Sequence, residues 1–196
     1  MGNLKSHLPA ALCTDLFPNP WLDVACDGYE LPFADGAISN LVLFDVFHHL
    51  AAPRAFLKEA RRILVGHGRL LVFEPYISLA SRPVYGLFHH EPIGGRQRIN
   101  LGESPPRPRN YYAAQGNATR LFFKREHAEW TEGWSFIHAE AFASFGYLLS
   151  GGFSKPGFYP AGALPWLRRL DQLLSHFPKL FGARCLVGLK RNPDLQ

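Results

Sequence analysis

The sequence predicts an α/β protein with a mostly parallel sheet and helices on both of its faces. Short apolar runs recur in the first part of the chain, at residues 10–14, 22–26, 40–44 and 70–73, and each has the length of a buried strand. The runs are apolar throughout rather than alternating, which is typical of parallel strands covered on both sides. An amphipathic segment separates the last two runs, as the helix does in a strand–helix–strand unit.

Length and composition fit a single domain over residues 1–196, because 47% of the residues are hydrophobic and only 19% are charged. Three cysteines argue against a disulfide scaffold and favour a reducing compartment. No apolar run reaches the roughly 18 residues of a membrane span. The first residues also lack the apolar stretch of a signal peptide. We therefore predict a cytoplasmic protein without a membrane span, and the oligomeric state stays open.

The clearest helix is predicted between the third and fourth apolar runs. It starts near Pro53, a residue that suits a first helical turn. Gly66 and Gly68 are expected to end it before the next strand. Its apolar residues fall on one stripe, namely Phe56, Leu57, Ala60, Ile63 and Leu64.

The middle of the chain has a different composition. Residues 82–125 carry eight Lys and Arg against two Asp and Glu, and the prolines of 105–109 interrupt any helix or central strand. We interpret this stretch as a basic insertion. A solvated loop is one interpretation, and a lid or docking surface for an anionic acceptor is the other.

The last third is predicted to be ordered. A helix is expected at residues 132–145, a short strand at 147–149, an amphipathic helix at 164–177 and a final strand at 185–189. The residues expected to face inward on the amphipathic helix are Leu167, Leu170, Leu173 and Leu174.

An acid stands at the end of each of the four apolar runs in the first part of the chain. These acids are Asp15, Asp27, Asp45 and Glu74. In open α/β sheets, ligands bind beyond the carboxyl ends of the strands, so this set predicts a binding site there. Capping of the following helix is the simpler interpretation for any one of them.

Four motifs follow one another in this region. An acid and a small residue precede Leu31-Pro32-Phe33, and an apolar strand precedes His49-Leu50. Residues 56–64 read Phe-Leu-x-Glu-Ala-x-Arg-x-Leu, and a glycine turn leads into the strand at 70–73. In this order the motifs resemble the class I S-adenosylmethionine-dependent methyltransferases of the type 11 kind, over about residues 11–76. The resemblance implies a Rossmann-like fold, methyl transfer and S-adenosylmethionine as cofactor.

The resemblance also implies that the cofactor lies across the strand ends. Asp15 would accept hydrogen bonds from the ribose hydroxyls, and a carboxylate suits this role because it can accept from two vicinal hydroxyls. Asp27 would meet the adenine edge, and Asp45 would lie near the methionine part. Leu31 would flank the purine, although it could equally be a core residue. The implied cofactor-binding residues are Gly2, Asp15, Leu16, Asp27, Gly28, Leu31, Phe44, Asp45 and Val46.

His49 is the predicted catalytic residue on the acceptor side of the cofactor. A hydroxyl acceptor gains from a general base, and imidazole has a suitable pKa for that task. Local packing or capping is the alternative for this histidine. His48, Glu74 and Tyr76 are predicted to bind the acceptor.

The start of the chain departs from the family pattern. The family's first strand ends in an acid and a Gly-x-Gly-x-Gly turn, whereas this chain begins Met1-Gly2-Asn3-Leu4. Gly2 matches at best the last of those glycines. We therefore expect a sheet that lacks the first family strand, which lies mid-sheet in the family. Either a hole must close or two strands must pair directly.

No metal site is predicted at His48-His49 or at His89-His90-Glu91, because adjacent histidines point in different directions and lack the spacing of a zinc helix. The leading function is methyl transfer to a small-molecule, lipid-linked or glycan acceptor. The alternative is a non-catalytic interaction module that binds an anionic partner through the basic insertion. A different nucleotide-binding enzyme on the same fold is a third possibility. Nucleic acid is not an expected partner, since no nucleic-acid motif is present.

Overall fold

The computed structural model describes residues 4–87, 91, 93–94, 99, 112–149 and 158–193. The strands are β1 (Thr14–Asp15), β2 (Val24–Ala25), β3 (Ile38–Phe44), β4 (Leu64–Pro75), β5 (Trp134–Phe142) and β6 (Arg184–Arg191). The α-helices are α1 (Leu4–His7), α2 (Pro53–Ile63), α3 (Ser81–Leu87), α4 (Phe145–Leu148), α5 (Leu164–Leu174) and α6 (Pro178–Phe181). Three 3₁₀ turns, at Phe47–His49, Ala128–Thr131 and Ala161–Ala163, and a π-helical turn at Thr119–Phe123 complete the described elements.

Four strands form the main sheet in the order β3-β4-β6-β5. β3 and β4 pair in parallel, and β6 runs antiparallel to both β4 and β5. Three of the four strands therefore point in one direction, and the predicted mostly parallel α/β sheet is confirmed. The unit β3–α2–β4 is the predicted strand–helix–strand unit, and β6 is the predicted final strand.

β1 and β2 form a separate parallel pair in which Thr14 faces Val24 and Asp15 faces Ala25. Each of these strands has two residues, much shorter than the apolar runs that predicted them. Within the described part of the chain, the pair shares no ladder with β3. β3 is thus an edge strand of the main sheet, and its Val42 side chain is 40% exposed.

The core lies between one face of the main sheet and α2. Helix α2 contributes Phe56, Leu57 and Ala60, and the sheet contributes residues such as Leu70 and Val187. Burying a large apolar side chain contributes about 1.5–3 kcal/mol, so this stripe accounts for much of the stability of the unit. Residues from the predicted basic insertion join the same core, namely Ala118, Leu121 and Phe122. The last part of that segment is therefore packed rather than solvated.

The predicted C-terminal end of α2 needs a correction. The helix ends at Ile63, and β4 begins at the next residue, before either glycine. The β3–β4 register then passes from Ile38↔Leu64 to Asn40↔Arg69, so residues 65–68 bulge out of the ladder. Gly66 and Gly68 thus lie in a bulge of β4. The same bulge contains His67, whose φ is 66°.

Residues 132–145 were predicted to be a helix, and that prediction is wrong: they contain strand β5. Its partner β6 lies far along the chain, and tertiary pairing overrides the helical spacing of Trp134, Ile137 and Ala141. The register shifts between Phe136 and His138, which is an irregularity in the ladder at Ile137.

The short strand predicted at residues 147–149 is also wrong, because Phe145–Leu148 is helix α4. The reason is a long-range cap: the Asp171 carboxylate of α5 accepts hydrogen bonds from Phe145 N (2.6 Å) and Gly146 N (3.0 Å). These amides begin a helix and would otherwise have no partner within it. On α5 itself the predicted inward face is not buried, since Leu170 and Leu173 are 44% and 67% exposed.

Candidate active site

The ends of β1 and β2 bring the first two acids together. The parallel pairing sets Asp15 beside Ala25, and Cys26 N donates to Asp15 O at 2.9 Å. Each carboxylate also caps its own turn, since Asp15 Oδ1 accepts from Phe17 N (3.2 Å) and Asp27 Oδ1 accepts from Tyr29 N (3.0 Å). These are contacts within turns, and in the described chain no helix directly follows either acid, so neither of them is the predicted helix cap.

The turn after β2 packs on the connection that follows β3. A Cβ added at Gly28 would lie 3.6 Å from Phe56 and 3.8 Å from Leu50, so this position is in close contact with that connection. The hydroxyl of Tyr29 accepts a hydrogen bond from Ala52 N at 3.0 Å. These contacts join the end of the two-stranded pair to the β3 end of the main sheet.

Leu31 belongs to the core, with 7% of its surface exposed. Its N–H donates to Glu59 Oε1 (2.8 Å), and its carbonyl accepts from Arg62 Nη2 (2.9 Å). Arg62 also donates to Phe33 O and Asp35 Oδ1 at 2.8 and 2.7 Å. The Glu and Arg of the helix motif thus hold the loop that follows β2. Their pairing lowers the pKa of Glu59 and raises that of Arg62.

Asp45 follows β3 in a left-handed conformation, with φ at 54°. Such a backbone is uncommon for a residue other than glycine and marks a position worth a functional test. The carboxylate forms an ion pair with Arg184 at 2.6 Å, and the Arg184 side chain is 4% exposed. Burial opposes the charge of Arg184, but Asp45 outweighs burial and raises the pKa of the guanidinium. Neighbouring Phe44 and Val46 are half-buried.

The 3₁₀ turn after β3 carries both histidines. His48 is 3% exposed, and its Nδ1 donates to Glu74 Oε2 at 2.7 Å. His49 is 34% exposed, and its Nδ1 donates to the carbonyl of Tyr112 at 3.0 Å. Burial would lower the pKa of His48, but the hydrogen bonds to Glu74 and Glu91 raise it to about 9.

Glu74 is 1% exposed, and its two oxygens are engaged by Phe47 N (2.6 Å) and His48 Nδ1. This arrangement makes Glu74 a positioning residue for the histidine turn. Tyr76, two residues further on, is 8% exposed and contacts Phe123 edge-to-face at 5.1 Å between ring centroids. Burial raises the pKa of the Tyr76 hydroxyl.

Tyr76 lines a cleft with a volume of about 940 Å³. On its floor, Gln115 is 1% exposed, and its Nε2 donates to Glu91 while its Oε1 lacks a protein partner. The Gln115 side chain links the cleft to the histidine turn, because its hydrogen-bond partner Glu91 contacts both histidines. The lining carries one acid, Glu140, and four cations, namely Arg82, Arg120, Lys124 and Lys179.

The strand-end acids thus fall into two groups. Asp15 and Asp27 lie together, and Asp45, His48 and Glu74 lie together, with ligand atoms of the last three within 4.8 Å of one another. Contact between the groups passes through the Gly28 turn. The remaining predicted residue, Gly2, lies outside the described residues. Leu16 is 49% exposed beside Asp15.

Sequence reasoning missed Glu91, Gln115 and Arg184. Glu91 stands in the run His89-His90-Glu91, which suggests a site, but the spacing rule for zinc helices argued against it. Arg184 had a usable signal, because it is a lone charge at the start of a buried apolar strand. Nothing local distinguishes Gln115.

Comparison with known proteins supports the sequence resemblance. Residues 8–72 match the family model described as a methyltransferase domain. A comparison with curated proteins finds no match. The match confirms, for this part of the chain, the resemblance to the class I S-adenosylmethionine-dependent methyltransferases. Residues 8–72 thus resemble a methyltransferase domain, and methyl transfer is the reaction class of that family.

Several solved structures resemble the chain at low sequence identity. A candidate methyltransferase from Bacillus halodurans C-125 has a TM-score of 0.49 and 12% identity, covering 98% of this chain and 87% of that one. Geranyl diphosphate C-methyltransferase from Streptomyces coelicolor A3(2) has a TM-score of 0.46 and 13% identity, and the match covers 86% of this chain and 52% of that one. The 1,6-didemethyltoxoflavin-N1-methyltransferase of Burkholderia thailandensis has a TM-score of 0.44 and 12% identity, and the match covers 92% of this chain and 60% of that one. The chain spans little more than half the length of the last two.

None of the helices in the described part of the chain has the length and apolar character that crossing a bilayer requires.

Proposed function

We propose that the protein transfers a methyl group from S-adenosylmethionine to a small acceptor, with the cofactor across the ends of β1, β2 and β3. The observation that carries this proposal is the parallel pairing that brings Asp15 and Asp27 to one edge. Two carboxylates at one edge suit the hydroxyls and exocyclic amine of an adenosine, because these groups donate hydrogen bonds. When bound, the cofactor supplies an electrophilic methyl group on a positively charged sulfur.

The other residues at this edge are proposed to support the same ligand. Gly28 lies in the turn that packs on Phe56 and Leu50, and Leu16 offers an exposed apolar surface beside Asp15. Phe44, Asp45 and Val46 would hold the methionine end. Leu31 supports this site from the core, through the loop that Glu59 and Arg62 fix, rather than by direct contact.

The acceptor is proposed to enter the cleft beyond β4. Tyr76 and Gln115 line this cleft. Its cations Arg82 and Lys124 would favour an acceptor with a phosphate or carboxylate. His49 is proposed to contact the acceptor, because it is the more exposed of the two histidines. A lipid-linked or glycan-linked phosphate has this chemistry.

The test is thermal unfolding of the full chain with S-adenosylhomocysteine. Binding to the folded state at one hundred times Kd stabilises by about 2.7 kcal/mol, so the melting temperature should rise by several degrees. The rise should disappear in Asp27→Ala and persist in Asp35→Asn, since the Asp35 side chain is 82% exposed and away from the proposed contacts. A wild-type melting temperature that stays constant at millimolar ligand would refute the proposal.

The non-catalytic alternative gives the opposite pattern. A module that binds an anionic partner through the basic cleft would show no shift with S-adenosylhomocysteine. It would instead bind a polyanion with an affinity that falls steeply with salt and falls again in Lys124→Ala.

A further inference from the structure

Two neighbouring imidazoles converge on one carboxylate at the histidine turn. His48 Nε2 lies 3.2 Å from Glu91 Oε2, and His49 Nε2 lies 3.4 Å from Glu91 Oε1. The two rings are 4.1 Å apart between centroids, and ligand atoms of the three residues lie within 4.8 Å of one another. The expected divergence of adjacent histidines therefore does not keep these rings apart, since both reach Glu91.

The far nitrogen of each ring has a fixed partner. The carbonyl of Tyr112 can only accept a hydrogen bond, so His49 Nδ1 carries a proton. The carboxylate of Glu74 holds Nδ1 of His48 in the same way. Metal-binding histidines almost always donate their other ring N–H to a carboxylate or a backbone carbonyl, which orients the ring and fixes the tautomer. Both rings thus have the supporting contacts of metal ligands.

The spacing of the three groups fits a metal ion. The ligands of a tetrahedral ion with bonds of about 2.0–2.1 Å lie about 3.3 Å from one another. The two nitrogen–oxygen separations at Glu91, 3.2 and 3.4 Å, are close to that value but end on different oxygens, so each histidine faces its own oxygen of the carboxylate. Two buried carboxylates, Glu74 and Glu91, face one buried histidine, so a His48 imidazolium balances only one of the two negative charges, whereas a divalent ion held by neutral histidines would balance both.

We infer that His48, His49 and Glu91 form a binding site for a divalent transition-metal ion of the zinc class. Two histidines and one carboxylate are a ligand set of catalytic zinc sites, which leave a further position for water or substrate. His49, which is 34% exposed, would give a small ligand access to that position, where an oxygen or nitrogen could bind. Asp45 and Glu74 form a second possible set with His48, but Arg184 and Phe47 N already engage them. This inference goes beyond the proposed methyl transfer and does not depend on it.

The test is calorimetric titration of tag-free, metal-free full-length protein with Zn²⁺, repeated with Co²⁺ while visible absorption is recorded. We expect one tightly bound ion per chain and the intense d–d bands of tetrahedral Co²⁺. His49→Ala and Glu91→Gln should each remove the bands and weaken binding at least tenfold. Glu74→Gln should weaken binding about 10–100-fold as a supporting partner.

The matched control is His138→Ala, because His138 and Glu140 form an exposed pair with a separation of 3.3 Å. This variant should bind the ion as the wild type does. The inference is overturned if the wild type binds no ion, since the cluster is then an imidazolium between carboxylates. It is equally overturned if folded His49→Ala, checked by circular dichroism, binds as tightly as the wild type.

Discussion

The ion pair between Asp45 and Arg184 gives the sharpest stability prediction. Arg184 has only 4% of its side chain exposed, whereas Asp45 has 40%. Removing one partner of a fully buried pair costs about 3–5 kcal/mol, while an exposed pair contributes about 0–1 kcal/mol. The half-exposed Asp45 places this pair between the two limits. We expect Asp45→Asn to lower the free energy of unfolding by about 2 kcal/mol.

Three substitutions at Asp45 separate the effect of its charge on stability from the effect of its backbone conformation. Asparagine tolerates the left-handed region, so Asp45→Asn removes only the charge. Asp45→Ala should cost about 1 kcal/mol more, because φ is 54° there. Asp45→Gly should recover that difference, since glycine adopts this region without steric cost.

Urea unfolding at equilibrium measures these changes, with thermal melting as a second assay. For a chain of 196 residues, 2 kcal/mol corresponds to a decrease of about 4–8 °C in melting temperature. The control is Asp35→Asn, which breaks an ion pair with Arg62 of nearly the same length, 2.7 Å, but with Asp35 82% exposed. It should change stability by less than about 0.5 kcal/mol. The reasoning is refuted if Asp45→Asn has no larger effect than this control.

Two further predictions concern Glu59 and Cys26. Arg62 lowers the pKa of Glu59, so their pairing stabilises the protein above the glutamate's unfolded pKa and is lost as pH falls through the lower folded value. The deficit of Glu59→Gln in unfolding free energy should therefore shrink between pH 7 and pH 3, and a constant deficit would contradict this. Burial, followed by the charges of Asp27 and Asp15, raises the pKa of the Cys26 thiol. Its alkylation, followed by mass spectrometry, should be slow and at least about threefold slower with saturating S-adenosylhomocysteine. An unchanged rate would argue against a cofactor beside these acids.

The parts of the fold that the sequence predicted are those with strong local signals. α2 has a continuous apolar stripe and a proline in its first turn, and β3 and β4 are apolar runs on either side of it. Residues 132–149 were mispredicted because their structure depends on distant partners. β5 needs β6, and α4 needs the carboxylate of Asp171.

The same distinction applies to the candidate site. The strand-end acids Asp15 and Asp27 could be predicted, because a strand end is a local feature. Arg184 and Glu91 reach the site only through the tertiary fold. The divergence expected for His48 and His49 does not exclude a shared partner, because the tertiary fold brings Glu91 beside both rings.

The central claim is that three strand ends form one binding site for the cofactor. Amide hydrogen exchange with and without S-adenosylhomocysteine tests this claim most directly, because it locates binding along the chain. We predict increased protection together at residues 15–17, 26–29 and 45–47, and little change in β5. Protection confined to other regions, or no change at a saturating concentration of ligand, would contradict the account.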